Sequence, residues 1–186
     1  MSDLSQYQAF PAAEHVPRAP RYDAKGIFEL FTRLEIPHRA YDHEPIMTVA
    51  DGTYLYDVMP GMHTRNMFLK DKSGALVLVT LPDRLQIDLK KLAVLVGLKR
   101  FSFASTDLLY EILGVRPGSV TPLAILNDHA RAVKLVLDQT MMAADIINVH
   151  PMINDQTIGF APQDFLRLLE KFDIEPHIID LRHASP

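Results

Sequence analysis

Cysteine is absent from this chain of 186 residues. That removes disulfide scaffolds, thiol nucleophiles, Cys-ligated zinc and iron–sulfur clusters together. Nothing then demands an oxidising compartment. Long apolar runs are also missing. Stretches such as Ala75–Val79 and Leu92–Val96 fall far short of the roughly 20 residues that span a bilayer. The first 22 residues have neither a basic start nor an apolar run, so they are not expected to be a signal peptide. Strong net charge is lacking too. A formal charge of −4 argues against a protein that coats nucleic acid, although it permits a local basic patch. GxGxxG, GxxxxGK[ST], GxSxG and HExxH are all absent. The eight histidines form no i,i+4 pair, and nothing groups Ser, His and Asp as a triad. If the chain is a hydrolase, activated water is expected rather than an enzyme nucleophile.

What is present suits one globular domain. Hydrophobic residues make up 48% of the chain and charged residues 23%, an ordinary balance for a packed core. Residues 1–22 carry Pro11, Pro17 and Pro20 with little apolar periodicity and read as an extended arm. Residues 23–186 read as the domain.

Asp23 is a candidate N-cap for a helix carrying Ile27, Leu30, Phe31 and Leu34. His38–Tyr41 reads as a strand. Thr48-Val49-Ala50-Asp51 resembles a capping box opening a second helix that ends near Met59-Pro60. Asn66–Leu69 and Ala75–Thr80 flank Asp71-Lys72-Ser73-Gly74 and read as a hairpin. Asp88 caps a short helix, Leu89 to Val96. Phe101–Ala104 alternates as a strand does, and a helix from Thr106 ends at Gly114. Thr121–Leu126, Val133–Leu137, Ile146–His150, Thr157–Phe160 and Pro176–Leu181 read as strands. Phe165, Leu168, Leu169 and Phe172 mark a last amphipathic helix. Strand runs joined by tight turns favour an α+β fold, a single domain with a mixed, largely antiparallel sheet and surrounding helices.

Charge is unevenly placed. From His63 to Arg100 there are eight basic residues against three acidic ones. This segment carries +5, and the remainder of the chain −9. Such asymmetry suits a face for a polyanion, or simply solvated Lys and Arg on hairpins and helix ends.

Five segments in order carry a resemblance. They are Asp42-His43-Glu44-Pro45 with Thr48; His63-Thr64-Arg65-Asn66-Met67-Phe68-Leu69-Lys70-Asp71; Ile87-Asp88-Leu89-Lys90-Lys91-Leu92; Leu113-Gly114-Val115-Arg116-Pro117-Gly118-Ser119-Val120-Thr121-Pro122; and Asn148-Val149-His150-Pro151-Met152-Ile153-Asn154-Asp155. Together they resemble the YbaK/ProX family of aminoacyl-tRNA deacylases. More closely, they resemble the freestanding ProX type, which clears alanine mischarged onto proline tRNA. The match covers about Gly26 to Asp180.

The resemblance implies a cytoplasmic hydrolase that uses water and no cofactor or metal. The implied partners are the aminoacylated acceptor end of tRNA and prolyl-tRNA synthetase, with no membrane and no DNA. A synthetase pocket built for proline cannot strongly reject alanine, because a missing methylene or two is worth only about 1–3 kcal/mol, so a second hydrolytic site is needed. Gly118-Ser119-Val120-Thr121-Pro122 matches the family's GxxxP loop, which binds the aminoacyl end and can donate N–H groups. Read alone, Pro117-Gly118 is a plain turn. His150 matches the family's pocket histidine and is given a place on the pocket wall. His43 and Thr48 match the loop beside the pocket, and Asn148 belongs to the same strand as His150. Arg65 and Asn66 are implied as a substrate clamp.

Arg65 departs from the family, which usually has lysine there, the residue most tied to activity. Arginine keeps the charge and can hold a phosphate or ribose oxygen. Its planar fork reaches differently from an ammonium. Two alternatives therefore stand beside the deacylase: a catalytically weak tRNA- or synthetase-binding paralogue, and a deacylase of another amino-acid preference.

Overall fold

Strand β2 (Met62–Asp71) organises the molecule. The computed structural model describes residues 20–48 and 50–186. The expected arm over residues 1–22 falls largely on 1–19, outside the described residues. Helices α1 (Ala24–Arg33), α2 (Leu89–Leu95), α3 (Thr106–Leu113), α4 (Gln139–Met142) and α5 (Pro162–Lys171) accompany eight strands. The others are β1 (His38–Asp42), β3 (Leu76–Pro82), β4 (Phe101–Phe103), β5 (Val133–Asp138), β6 (Ile147–Val149), β7 (Gln156–Phe160) and β8 (His177–Ile179). The strand order is β1-β7-β6-β2-β3-β5-β8, with β4 also on β2. β1/β7, β2/β3, β2/β4 and β6/β7 are antiparallel. β2/β6, β3/β5 and β5/β8 are parallel. The fold is thus α+β with a mixed sheet.

Side chains alternate across this sheet. Phe68, Leu76, Leu78, Leu135 and Leu137 enter one core, where α1, α3 and α5 supply Phe31, Leu113 and Phe165. Met67, Leu69, Val77, Val79, Leu81 and Val136 enter a second core with Leu92 and Ala93 of α2 and with Leu181 and Ala184. Burial on both faces is why β3 reads as an unbroken apolar run.

The local signals act as their chemistry requires. Asp23, Asp88 and Ser105 accept hydrogen bonds from first-turn N–H groups of α1, α2 and α3. Gly114 ends α3 at φ +68°. Tyr22 is buried, and its N–H and C=O both bond the Asn127 side chain, at 2.8 and 2.9 Å.

Two expectations need correcting. Thr121–Leu126 is not a strand but leads into a 3₁₀ helix, Pro122–Asn127, buried on every side. An all-apolar run carries no periodicity to separate the two. The Thr48–Asp51 capping box does close, since Thr48 N–H donates to Asp51 Oδ2 at 2.8 Å and Asp51 N–H to Thr48 Oγ1 at 3.4 Å. It opens no α-helix, however. A turn and a 3₁₀ helix, Thr53–Asp57, follow.

The register leaves a gap that positions the site. On one edge of β2, Thr64 to Lys70 pair with β3. On the other, Met62 and His63 pair with β6, and Leu69 to Asp71 pair with β4. Among the described residues, no strand pairs with 64–68 on that second edge.

Candidate active site

The gap in β2 is met by the loop that carries Gly118. Asn66 Nδ2 donates to the Val120 carbonyl at 2.8 Å, and Asn66 Oδ1 accepts from Thr80 Oγ1 at 2.8 Å. Both ends of this amide are therefore engaged, and Asn66 acts as a strut under the loop. Thr64 Oγ1 donates to the Asn148 carbonyl at 2.8 Å and ties β2 to β6. Arg65 points to the opposite face from Asn66, as consecutive strand residues must. Its Nη2 donates to the Leu85 carbonyl at 2.6 Å, and its Nε is buried without a partner among the described residues. Burial pulls its pKa down, and Asp83 opposes that. An arginine remains a cation through such a shift.

The Gly118 loop opens as a type II turn. Ser119 N–H donates to the Arg116 carbonyl at 3.0 Å, with Pro117 and then Gly118 at φ +88° between them. A Cβ on Gly118 would lie 2.8 Å from Met47 Sδ and 3.2 Å from Asn154 Nδ2. Thr121 caps the buried 3₁₀ helix that follows. Ser119, Thr121 and Pro122 thus anchor the loop from behind.

A second loop, 43–48, is fastened to the segment after β6. His43 N–H donates to the Asp155 carbonyl and Ile46 N–H to the Asn154 carbonyl. His150 lies between them. Its Nδ1 is 2.8 Å from the Gln156 carbonyl, which can only accept, so Nδ1 holds the proton and Nε2 is the acceptor. The His43 ring lies 6.0 Å behind it and accepts at Nε2 from the Thr157 hydroxyl.

Burial lowers the His150 pKa, and the nearby His43 adds to this against the opposing Gln156 bond. His150 is therefore neutral at neutral pH. Its stabilising contribution is full above the unfolded value of about 6.5 and is lost as pH falls through that value toward the folded one. The urea midpoint of the wild type is expected to drop on acidification below about pH 6.5. It should drop less steeply in His150→Gln. Equal slopes would show that His150 is not the buried neutral group described.

These segments enclose one cleft of about 310 Å³. Thr48, Arg65, Asn66, Gly118, Val120 and His150 all line it. A smaller annexe of about 70 Å³ opens beside it, sharing Ile46, Thr64, Asn66 and His150 and adding Tyr56, His63, Asp83 and Asn148. Among the sequence-derived residues, His43, Ser119, Thr121 and Pro122 do not line the cleft, and Asn148 lines only the annexe. Larger hollows along α1 and α5 are lined by helix residues such as Phe28 and Arg167. None of the sequence-derived site residues lines them. Among the described residues, no group of three or more His, Asp or Glu is placed to hold a metal ion.

Sequence reasoning missed the annexe. The Tyr56 hydroxyl donates to Asp83 Oδ2, the Tyr56 ring packs edge-on against His63 at 4.6 Å, and the Arg84 guanidinium lies 4.4 Å over it. Burial and the Asp83 carboxylate raise the Tyr56 pKa, which keeps the hydroxyl a donor. Asp83 is one of only three acids in the basic segment, and that was the one available signal. The basic residues themselves divide. Arg65 and Arg84 flank Asp83, whereas exposed Lys70, Lys72, Lys99 and Arg100 gather near Asp71. That end of β2 is about 17–20 Å from Arg65 at strand rise.

A family model described as an aminoacyl-tRNA editing domain matches residues 43–168. The chain belongs to this editing family. It is 35% identical over 157 residues to the prolyl-tRNA synthetase associated domain-containing protein 1 of Danio rerio, covering 83% of this chain and 85% of that one. It is 29% identical over 150 residues to the prolyl-tRNA editing protein ProX of Acetoanaerobium sticklandii, covering 80% and 92%. A solved structure described as a candidate trans-editing enzyme for prolyl tRNA synthetase superposes with a TM-score of 0.63 at 16% identity, covering 84% and 92%. That likeness concerns the fold. The editing-family match takes in every residue lining the cleft.

Proposed function

We propose that this protein hydrolyses the ester joining an amino acid to the 3′ end of tRNA, with alanine on proline tRNA as the preferred substrate. One observation carries the reading. Thr48, Arg65, Asn66, Gly118, Val120 and His150, brought from four separate segments, border a single cleft. In this reading the neutral His150 offers Nε2 to orient the attacking water. The amides of the Gly118 loop face the developing oxyanion; the Ser119 amide closes the turn, while those at Gly118 and Val120 have no partner among the described residues. Arg65 holds a phosphate or ribose oxygen of the terminal adenosine. The ester is already reactive, so placing water, oxyanion donors and substrate together supplies the catalysis. The acceptor end of tRNA is the partner, and prolyl-tRNA synthetase and a cytoplasmic setting accompany it.

A second reading, the weak binding paralogue, draws on one specific feature: the Arg65 guanidinium is already bonded to the Leu85 carbonyl. Deacylation assays separate the two. The wild type is expected to release alanine from alanine-charged proline tRNA and to spare proline-charged tRNA. No turnover by wild type, with recovery in Arg65→Lys, would overturn the deacylase reading and support the paralogue. Turnover confined to another charged tRNA would shift the amino-acid preference instead.

A further inference from the structure

We propose that the annexe is a receptor for the α-ammonium group of the aminoacyl ester, with Asp83 as its counter-ion and Tyr56 as the positioning residue for that carboxylate. This rests on the reading of the cleft as an aminoacyl-ester site.

The polar atoms of the annexe carry the inference. Tyr56 takes Asp83 Oδ2 and leaves Oδ1 for a further donor. Among the described residues Asp83 forms no ion pair, since the pairs there involve Glu29, Asp164 and Asp180. Asn148 is 3% exposed. Its Nδ2 donates to the Pro60 carbonyl at 3.1 Å, and its buried Oδ1, without a partner among the described residues, lies against Gly159 and adds nothing to the annexe. His63 donates from Nε2 to the Met59 carbonyl at 3.1 Å, which makes Nδ1 an acceptor. The two hydroxyls that also line the annexe spend their protons elsewhere. Thr64 donates to the Asn148 carbonyl and Thr157 to His43.

What remains is one Asp83 carboxylate oxygen and the His63 Nδ1 nitrogen, two acceptors of the annexe with no donor among the described residues. A group with several N–H donors and a positive charge satisfies both, with the Asp83 carboxylate as its counter-charge. One water needs about 10–15 Å³ of such space. The annexe, at about 70 Å³, therefore takes an ammonium with a methyl beside it, but no nucleoside. Arg65 borders the adjoining cleft and supplies the opposite sign there. The two charges match the two ends of the aminoacylated terminal nucleotide, ammonium at one and 5′-phosphate at the other.

The test uses a non-hydrolysable 3′-alanylamido-3′-deoxyadenosine and its lactyl counterpart, in which a hydroxyl replaces the ammonium. Calorimetry on the full chain is expected to show the alanyl form binding about tenfold or more tighter than the lactyl form. Asp83→Asn should erase that preference, and Asp83→Glu should retain part of it. Tyr56→Phe should weaken the preference without abolishing it. In deacylation, Asp83→Asn should raise KM more than it lowers kcat. Equal affinity of the two analogues for wild type, failure of both to bind, or a preference that survives in Asp83→Asn overturns the proposal. A wild type that prefers the alanyl analogue but deacylates no charged tRNA would leave the receptor standing and overturn only the deacylase reading.

Discussion

Gly118→Ala lowers kcat/KM for alanine-charged tRNA by roughly a hundredfold while the protein stays folded. The backbone at φ +88° costs an L residue about 1–2 kcal/mol. The new Cβ also meets Met47 Sδ at 2.8 Å and Asn154 Nδ2 at 3.2 Å. Met47 is exposed and can swing away. Asn154 is bonded to the Ile46 carbonyl and cannot move without disturbing the 43–48 loop. The Gly118 loop therefore shifts relative to Arg65 and His150, and a misplacement of about 1 Å is worth about 10²-fold in rate. Gly74→Ala is the control. It has φ +97° in the β2–β3 turn with nothing within 4 Å of a new Cβ. It should lose similar stability and keep full turnover. Equal activity in both variants, measured with thermal melts alongside, would remove the Gly118 loop from the machinery.

Arg65→Ala is expected to reduce kcat/KM by about 10- to 150-fold, from the loss of a charge-assisted hydrogen bond to substrate worth about 1.5–3 kcal/mol. Arg65→Lys should retain most of the wild-type activity if the cation only holds the substrate. Stability should change little in Arg65→Ala. The variant loses the bond to the Leu85 carbonyl but also relieves a buried Nε that has no partner. Steady-state kinetics and a melting curve on the same preparations check both halves. Unchanged kcat/KM in Arg65→Ala would mean that Arg65 only braces the Leu85 turn.

The elements legible in the sequence are those whose determinants are local. The Asp71–Gly74 turn between apolar runs gave the β2–β3 hairpin, and Gly114 marked the end of α3. Capping is read within one turn because the donor and acceptor are three residues apart. The Pro122–Asn127 segment was misread because every one of its residues is buried, so no polar side betrayed its period. The capping box at Thr48 formed its bonds, yet a cap satisfies backbone groups without supplying the packing that sustains a helix.

The candidate site divides along the same line. Gly118, Arg65 and His150 were found by resemblance to a family, and they line one cleft. The Asp83–Tyr56 contact joins residues 27 apart and had no local pattern to announce it. Asn66 was expected to clamp substrate beside Arg65; both line the cleft, with the Asn66 amide held by the Val120 carbonyl and the Thr80 hydroxyl.

By itself, the sequence determined that this is a single α+β domain without thiol chemistry, with a basic segment and a set of family motifs in order. Only the tertiary structure decided that β6 and β4 share one edge of β2 with a gap between them, that the Gly118 loop meets that gap, and that Asp83, just past the end of β3, lines an annexe beside the cleft with Tyr56 bonded to it. Local chemistry fixes turns, caps and alternation. Which distant segments meet depends on both faces of the sheet being buried at once, and that is a property of the whole chain.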